Sequence, residues 1–210
     1  MLYITIAIVA SVLIAGFYHY RVSQKETLSK AIFDGYVASV VDTATEGERV
    51  YRAQIASLGG TPTNRGIALS RLATALFPVA AYAISEISGG LSPDVAKYSP
   101  VSGKTVWNVA SGAALQPFGD THGIQDLQTI KEDTNFSINQ FVELMNEVNV
   151  LSPNDAIGPA ISRLSPIWQR ALEISGAPNS ERAAGYASQY VTSGMHQLAD
   201  VFGLLTNSRS

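Results

Sequence analysis

The chain opens with Met1–Lys30, MLYITIAIVASVLIAGFYHYRVSQKETLSK, and this stretch determines the organisation predicted for the rest. With His19 counted as neutral, no charged residue occurs from Met1 to Tyr20. A helix of about 20 residues spans roughly 30 Å, which is about the hydrocarbon thickness of a bilayer. Residues 1–20 are therefore predicted to form a single transmembrane helix, which also serves as an assembly segment.

A cleaved export signal is the alternative interpretation of this run. Such signals combine a basic start with a shorter apolar stretch and a small-residue cleavage site. Here the basic start is missing, and tyrosines at positions 3, 18 and 20 suit the two membrane interfaces. A permanent anchor is therefore favoured. Arg21, Lys25 and Lys30 would by themselves favour a cytoplasmic C-terminal part, unless a basic leader was removed before Met1.

Residues 21–58 are predicted to continue the same helix in amphipathic form. Apolar residues recur at helical spacing, namely Ile32, Tyr36, Val40, Ala44, Tyr51, Ile55 and Leu58. The charges between Arg21 and Leu58, five of each sign, are interspersed. Gly59, Gly60 and Pro62 provide a helix stop. Glycines at positions 16, 35 and 47 mark places where the helix could bend.

Two local stretches are informative. In FYHYRVSQKETLSKA, aromatic residues end the apolar run and a polar Ser-Gln segment follows. In ERVYRAQ, an Arg and a Tyr lie near the end of the predicted helix. Together with the uncharged start and the Gly/Pro break, they resemble a type IV pilin. The likeness is closest to the type IVb branch and the pilins of conjugative thin pili, and it covers about the first 60 residues. The stretch SPVSGKTVWNVASGAALQPFG is faintly similar to the family's first sheet hairpin.

The resemblance implies a prokaryotic subunit that is held in the lipid bilayer before assembly and then polymerises with copies of itself into an extracellular filament for adhesion or conjugation. Met1 would be the processed N-terminus. The residues expected to pack in the filament are Ile4, Thr5, Ile8, Val12 and Phe17. Thr5 stands where the family has a glutamate that pairs with a neighbour's N-terminal amine, and the family's C-terminal disulfide cannot form without cysteine.

Residues 61–210 are predicted to form one globular domain, giving an α+β chain that is predominantly α with at most one small sheet. Residues 63–88 are interpreted as one helix bent at Pro78, or as two short helices. The candidate strands, such as KTVWNVA, lie within residues 89–123, which are rich in Gly, Ser and Pro. The pilin family, by contrast, usually has a four-stranded sheet in its head.

Serine and proline mark the predicted helix starts in this domain. Ser137 and Gln140 form a capping-box pattern. The tripeptide LSP, beginning at Leu91, Leu151 and Leu164, can start a helix with Ser as cap and Pro at the first position. The last of these is expected to open a helix through Trp168 that closes at Gly176 and Pro178. Ser180 is expected to cap a final helix.

Composition excludes several classes of function. The 210 residues are 46% hydrophobic and 15% charged, with a net charge of -3, so nucleic acid is not an expected partner. The absence of cysteine excludes disulfides, thiolate catalysis and Cys-ligated metals.

Few candidate catalytic or binding residues occur, and each has a simpler explanation. The stretch SGKT at residues 102–105 resembles the end of a P-loop, but Tyr98 stands where the motif needs glycine. Asp120, His122 and Asp126 could supply metal ligands, although a loop histidine between turn formers is the preferred interpretation. The carboxylate pairs Glu132/Asp133 and Glu143/Glu147 are interpreted as solvated. No catalytic, metal or cofactor residue is predicted.

The aromatic residues are likewise assigned to packing. Tyr186 and Tyr190 stand at helical spacing and are interpreted as core or subunit contacts, and Trp107 and Trp168 as core. Three functions are weighed on this basis. The first is a structural filament subunit without enzymatic activity, and the second is a single-pass accessory subunit of a larger membrane or virion complex. The third is a membrane-tethered enzyme, which would depend on Asp120 or His122.

Overall fold

The computed structural model describes residues 40–87, 131–177 and 180–201, together with Ala38 and Gly112. Of these residues 88% are helical, they form five helices, and none of them lies in a strand, so the prediction of a predominantly α chain is confirmed for this part. The helices are α1 (residues 40–57), α2 (Asn64–Ile87), α3 (Lys131–Val148), α4 (Pro153–Ile174) and α5 (Ser180–Val201). The candidate strands at 89–123, residues 21–37 and the first 20 residues lie outside the described ranges.

Helices α2 and α4 form the centre of the bundle. Helix α4 packs most extensively on α5 and α2 and then on α3, while α2 also contacts α3 and α5. Every residue of α2 from 66 to 81 is buried, so this helix is enclosed over its whole circumference. Pro78 lies inside α2 without dividing it, which makes the single-helix interpretation of residues 63–88 the right one.

The described part of α1 uses its apolar stripe in the way the sequence predicts. The five stripe residues within the described range are all buried, namely Val40, Ala44, Tyr51, Ile55 and Leu58. The opposite face, with Asp42, Glu46, Arg49 and Arg52, is exposed. An amphipathic helix of this kind is stabilised mainly by burial of one face against a core rather than by its own propensity.

Helix α1 ends at the predicted glycine stop. Gly59 has φ +76°, a left-handed conformation that glycine adopts without penalty. The Gly60 amide donates to the Ile55 carbonyl at 2.9 Å, which satisfies an end-of-helix acceptor. A Cβ on Gly60 would lie 2.9 Å from the Ser175 carbonyl oxygen, so this turn also needs glycine in order to pass α4.

At Gly47 α1 approaches α2 closely, and the helix is continuous through this residue. A Cβ there would overlap the side chain of Thr74 on α2. Thr74 cannot rotate away freely, since its hydroxyl donates to the Ser70 carbonyl at 2.9 Å and to the Arg71 carbonyl at 3.1 Å.

The expected start of α3 at Ser137 is wrong. The helix begins at Lys131, with Glu132 and Asp133 in its first turn, where carboxylates favour the positive end of the helix dipole. Ser137 is buried within the helix, and its hydroxyl donates to the Asp133 carbonyl at 2.8 Å. A serine hydroxyl can either cap the start of a helix or hydrogen-bond a carbonyl of the preceding turn. Ser137 does the second, because the packing of α3 extends the helix before it.

The second LSP starts a helix, and the third does not. Ser152 caps α4, accepts from the Asp155 amide, and is followed by Pro153 at the first position. The helix then continues through Pro159 and Pro166, so the expected start at Ser165 is wrong. The carbonyls that these two prolines free belong to residues 155 and 162, both exposed, so water can satisfy them. The predicted end is confirmed, with Gly176 at φ +75°.

An aromatic group fills the space between α2, α4 and α5. The Trp168 and Tyr190 ring centroids are 4.3 Å apart, and Phe77 lies 5.8 Å from Tyr190. Trp168 is fully buried, and its indole N–H donates to the Gln54 side chain of α1 at 2.8 Å. The assignment of Trp168 to the core is confirmed, Tyr186 and Tyr190 are partly buried and pack against the core, and Trp107 lies outside the described residues.

Replacing Gly47 by Ala should destabilise the bundle by about 1–3 kcal/mol, because the new methyl group overlaps the hydrogen-bonded Thr74 side chain. The matched control is Gly158→Ala on α4, where nothing lies within 4 Å of an added Cβ. This control should stabilise by up to about 1 kcal/mol through helix propensity. Thermal unfolding of the full chain in detergent, followed by circular dichroism, measures both, and equal effects would contradict the close approach of α1 to α2.

Candidate functional site

The predicted assembly residues Met1, Ile4, Thr5, Ile8, Val12 and Phe17 lie outside the described residues, as do Asp120, His122, Asp126 and the SGKT stretch. Within the described ranges, no group of three or more His, Cys, Asp or Glu residues could hold a metal ion. In those same ranges, none of the helices has the length and apolarity needed to cross a bilayer. The candidate sites are therefore the polar contacts between helices and the outer faces of the bundle.

A buried hydroxyl network joins the end of α1 to the end of α4. The Tyr51 hydroxyl hydrogen-bonds the Ser175 hydroxyl, which lies 3.0 Å from the Thr63 hydroxyl. The Thr63 side chain in turn accepts from the Gly66 amide at 3.0 Å, at the first turn of α2. A Cβ on Gly66 would overlap both the Tyr51 and Ser175 hydroxyl groups, so the glycine makes room for the network. The four residues tie three helix ends together.

An ion pair fixes the middle of α1 to α2. Arg71 is 5% exposed although it carries a charge, and its guanidinium donates to the Glu48 carboxylate at 3.1 Å. From the solvent side, Arg52 donates to the same carboxylate at 2.8 Å. Together with the Trp168–Gln54 hydrogen bond and the Tyr51 network, this contact holds α1 against the bundle at successive turns.

Asp133 is the point at which α2, α3 and α4 are joined by charge. The residue is only 1% exposed. Arg65 of α2 binds the carboxylate through two nitrogens: Nη2 donates to Oδ1 at 2.9 Å, and Nε donates to Oδ2. Arg170 of α4 donates to Oδ1 at 2.6 Å. The Arg170 guanidinium also lies over the Phe136 ring, 5.0 Å from its centroid.

The electrostatics of this cluster favour a structural role. Burial by itself would raise the pKa of the Asp133 carboxyl, but the hydrogen bonds from Arg65 and Arg170 outweigh burial and hold the pKa below its usual range. The hydrogen bond to Asp133 likewise raises the pKa of Arg65. Because both carboxylate oxygens accept from arginine, with two hydrogen bonds at Oδ1 and one at Oδ2, the group is a weak base whose charge is compensated within the bundle.

Sequence interpretation missed Asp133, which it assigned with Glu132 to a solvated face. Glu132 is exposed as expected, whereas Asp133 is not. One signal was present, because Asp133 precedes Ser137 and Phe141 at intervals of four on the buried face of α3. The two arginines, 68 and 37 residues away along the chain, could not be identified in this way.

Glu143 and Glu147 agree better with the solvated interpretation. Their side chains are 51% and 38% exposed, and both accept from Arg163 of α4. The Arg163 Nε lies 2.9 Å from Glu147 Oε1. A pair this exposed contributes at most about 1 kcal/mol, so it orients α3 on α4 more than it stabilises the bundle.

The outer faces of the helices differ in charge. The exposed face of α1 carries Asp42, Glu46, Arg49 and Arg52, and the hydrogen bond from Arg49 lowers the pKa of Glu46. Beyond its first turn, α3 presents Glu143 and the partly exposed Glu147, and both carboxylates pair with the one guanidinium of Arg163. On α5, the residues described as exposed between Arg182 and Ala199 are uncharged with His196 taken as neutral, namely Gly185, Ser188, Gln189, Ser193, His196 and Gln197.

Comparison of the chain with protein-family models, with curated proteins and with solved structures finds no match.

Replacing Asp133 by Asn should lower stability by about 2 kcal/mol at neutral pH, because two arginines lose their shared buried charge partner. Since the folded pKa of Asp133 is depressed, its contribution is present above the unfolded pKa, about 3.9, and is lost as pH falls through the folded pKa. The difference between variant and wild type should therefore stay constant from about pH 7 to about pH 5 and shrink as the pH falls further through the folded pKa.

Glu132→Gln is the matched control, since the neighbouring carboxylate is exposed and acts on Arg65 through its charge. It should change the midpoint of thermal unfolding little at any pH. An Asp133→Asn variant that unfolds like the Glu132→Gln variant at neutral pH would contradict the role assigned to the cluster.

Proposed function

We propose that the protein is a structural subunit that residues 1–20 anchor in the bilayer, and that it polymerises through this apolar segment into a pilus-like extracellular filament. The observation that carries the proposal is the attachment of α1, whose apolar stripe is built into the core of the globular domain. Helix α1, which follows the apolar segment in the chain, is thus part of the domain's own fold.

The attachment matters because a filament held together by N-terminal helices must transmit load from those helices to the domains they carry. Helix α1 is bound through its buried stripe, through Glu48–Arg71 and through the Tyr51 network. Packed side chains and buried hydrogen bonds resist displacement together, because moving the helix would expose apolar surface and unpaired polar groups at once. A displacement of α1 would therefore carry the domain with it.

The charge pattern of α1 supports the division between anchor and domain. Asp42, Glu46 and Arg49 are exposed, and charges on a helix surface are costly to place in hydrocarbon. The bilayer segment of the proposal therefore ends before Asp42. The uncharged residues 1–20 serve twice, since the surface that contacts lipid before assembly is buried against neighbouring copies afterwards.

In this proposal the domain performs no chemistry. Among the described residues, the most deeply buried carboxylate is Asp133, and both of its oxygens accept from arginine. The Ser175 hydroxyl hydrogen-bonds the Tyr51 and Thr63 hydroxyl groups, and within the described ranges no hydrogen bond links these groups to a general base. These groups stabilise contacts between helices.

A second candidate is the single-pass accessory subunit of a larger membrane or virion complex. The observation that favours it is the architecture of the described residues between 131 and 201, which form three helices joined by short turns and contain no strand, whereas the pilin resemblance implies a four-stranded sheet in the head. A helical domain with an apolar anchor is equally suited to docking on different chains. This candidate predicts co-purification with those chains in fixed stoichiometry and no homopolymer.

Ile8→Lys and Val12→Lys should each abolish filament assembly, because either places a charge in a surface that must be buried against neighbouring helices. The matched control is Ser162→Lys, which adds the same charge at an exposed position of α4 and should leave assembly unchanged. Negative-stain microscopy of native material counts the filaments. Normal filaments from the Ile8→Lys variant would contradict assembly through the N-terminal segment.

The first experiment combines N-terminal mass spectrometry with negative-stain microscopy of native material. The filament proposal expects filaments whose subunits begin at a processed, N-methylated Met1. A discrete detergent-soluble complex with an unprocessed Met1 and different chains in fixed ratio would overturn it in favour of the accessory subunit.

A further inference from the structure

The two halves of α3 are held on the bundle in different ways. In the half from 141 to 148, three apolar side chains are buried, namely Phe141, Leu144 and Val148. In the half from 131 to 140, the buried residues are Asp133 and Ser137. The Ser137 hydroxyl donates to a carbonyl of its own helix, so this donor does not tie α3 to another helix. Asp133 is therefore the buried side chain that connects the first half of α3 to α2 and α4.

Phe136, in the same half of α3, makes a contact that depends on Asp133. The ring is partly buried against the core, and the Arg170 guanidinium lies 5.0 Å from its centroid. Arg170 is also held by Asp133, since its Nε donates to Oδ1 of the carboxylate at 2.6 Å. Loss of the Asp133 charge would remove the partner that keeps Arg170 over the ring. The contact between Arg170 and Phe136 is thus coupled to the charge of Asp133.

One negative charge holds two positive charges together at this point. Arg65 of α2 and Arg170 of α4 both donate to Asp133 Oδ1, so their guanidinium groups lie side by side. Arginine keeps its charge in acid, whereas an aspartate carboxyl takes up a proton near about pH 4. Protonation of Asp133 would leave two adjacent cations without their shared counter-ion, and like charges at short range repel.

The neighbouring charges do not take over the role of Asp133 in acid. Among the described residues, α3 packs on α2 and α4, and the charged groups of those helices that act on Asp133 are Arg65 and Arg170. On α3 itself, Glu132 acts on Arg65 through its charge, but it is an exposed carboxylate, which acid neutralises as well. Lys131 is exposed and stays positive. In acid the first turn of α3 therefore presents a net positive charge to two arginines.

The second half of α3 has attachments that do not depend on Asp133. Burial of its three apolar side chains does not change with pH, and four residues, 149–152, connect it directly to α4. Glu143 and Glu147 pair with Arg163 of α4, and these partly exposed ion pairs contribute at most about 1 kcal/mol each. Acid therefore weakens the attachment of the second half much less than that of the first.

We infer that the first half of α3, residues 131–140, is an acid-sensitive latch, which leaves α2 and α4 when Asp133 takes up a proton, while residues 141–148 and the other helices stay packed. Burial opposes the charge of Asp133, but the hydrogen bonds from Arg65 and Arg170 outweigh burial and hold its pKa below the usual range. The latch is therefore closed above about pH 4 and opens as the pH falls through the folded pKa. Opening exposes Arg65, Arg170 and Phe136 to solvent. The inference concerns the domain alone and does not depend on filament assembly.

Amide hydrogen exchange of the full chain in detergent, measured by mass spectrometry of its peptides from about pH 7 to about pH 3, tests the latch. The first four amides of a helix lack an intrahelical acceptor, so residues 135–140 report the state of this half. A detached segment this short does not stay helical in water. After correction for intrinsic exchange rates, residues 135–140 should lose protection by at least about tenfold at the lowest pH, whereas residues 145–148 and α5 should keep theirs.

Asp133→Asn should open the latch at neutral pH, since it removes the charge without acid, and Glu132→Gln is the matched control that should leave the protection of residues 135–140 as in the wild type. In the wild-type series, loss of protection in residues 135–140 only together with α5 would overturn the inference, because acid would then unfold the whole domain. Unchanged protection of residues 135–140 down to about pH 3 would overturn it too. An Asp133→Asn chain that loses protection in every helix at neutral pH would have the same consequence, because the latch requires the rest of the bundle to stay packed.

Discussion

The enclosure of α2 is the constraint on which the rest of the bundle depends. A helix buried from residue 66 to residue 81 has no solvent-facing side, so other elements must surround it. Its polar side chains must also be satisfied inside the protein. Ser70 and Thr74 donate to carbonyls one turn earlier, and Arg71 takes Glu48 of α1 as an acceptor. The position of α1 is thus set both by apolar burial and by the need of α2 for a charge partner.

Asp133 constrains the packing of α3 on α2 and α4 in a similar way. It brings the first turn of α3 to the first turn of α2 and to the last turns of α4 through two arginines. A buried carboxylate is tolerated only when its charge is compensated, so the three helices can adopt few other relative positions without exposing or isolating it. The cluster therefore contributes to specifying a single arrangement of helices, in addition to whatever stability it adds.

The functional proposal follows from how these constraints divide the surface. Helix α1 presents charges to solvent and an apolar stripe to the core, so it is a surface helix of the bundle. In the proposed filament subunit, α1 is thus the part of the domain that follows the apolar segment in the chain.

Local sequence determined those elements whose sequence signals are not opposed by tertiary packing. The stripe from Val40 to Leu58, the stop at Gly59 and Gly60, and the Ser152–Pro153 start of α4 were all readable, because periodicity, left-handed glycine and capping act within a few residues. Tertiary structure decided the rest. Ser137 and Ser165 have the same cap chemistry as Ser152, yet they lie inside helices because packing continued those helices past them. In the sequence, Asp133 stands next to Glu132 and looks like any other pair of solvated carboxylates. It is buried because Arg65 and Arg170 reach it from distant parts of the chain, which only the packed bundle brings together.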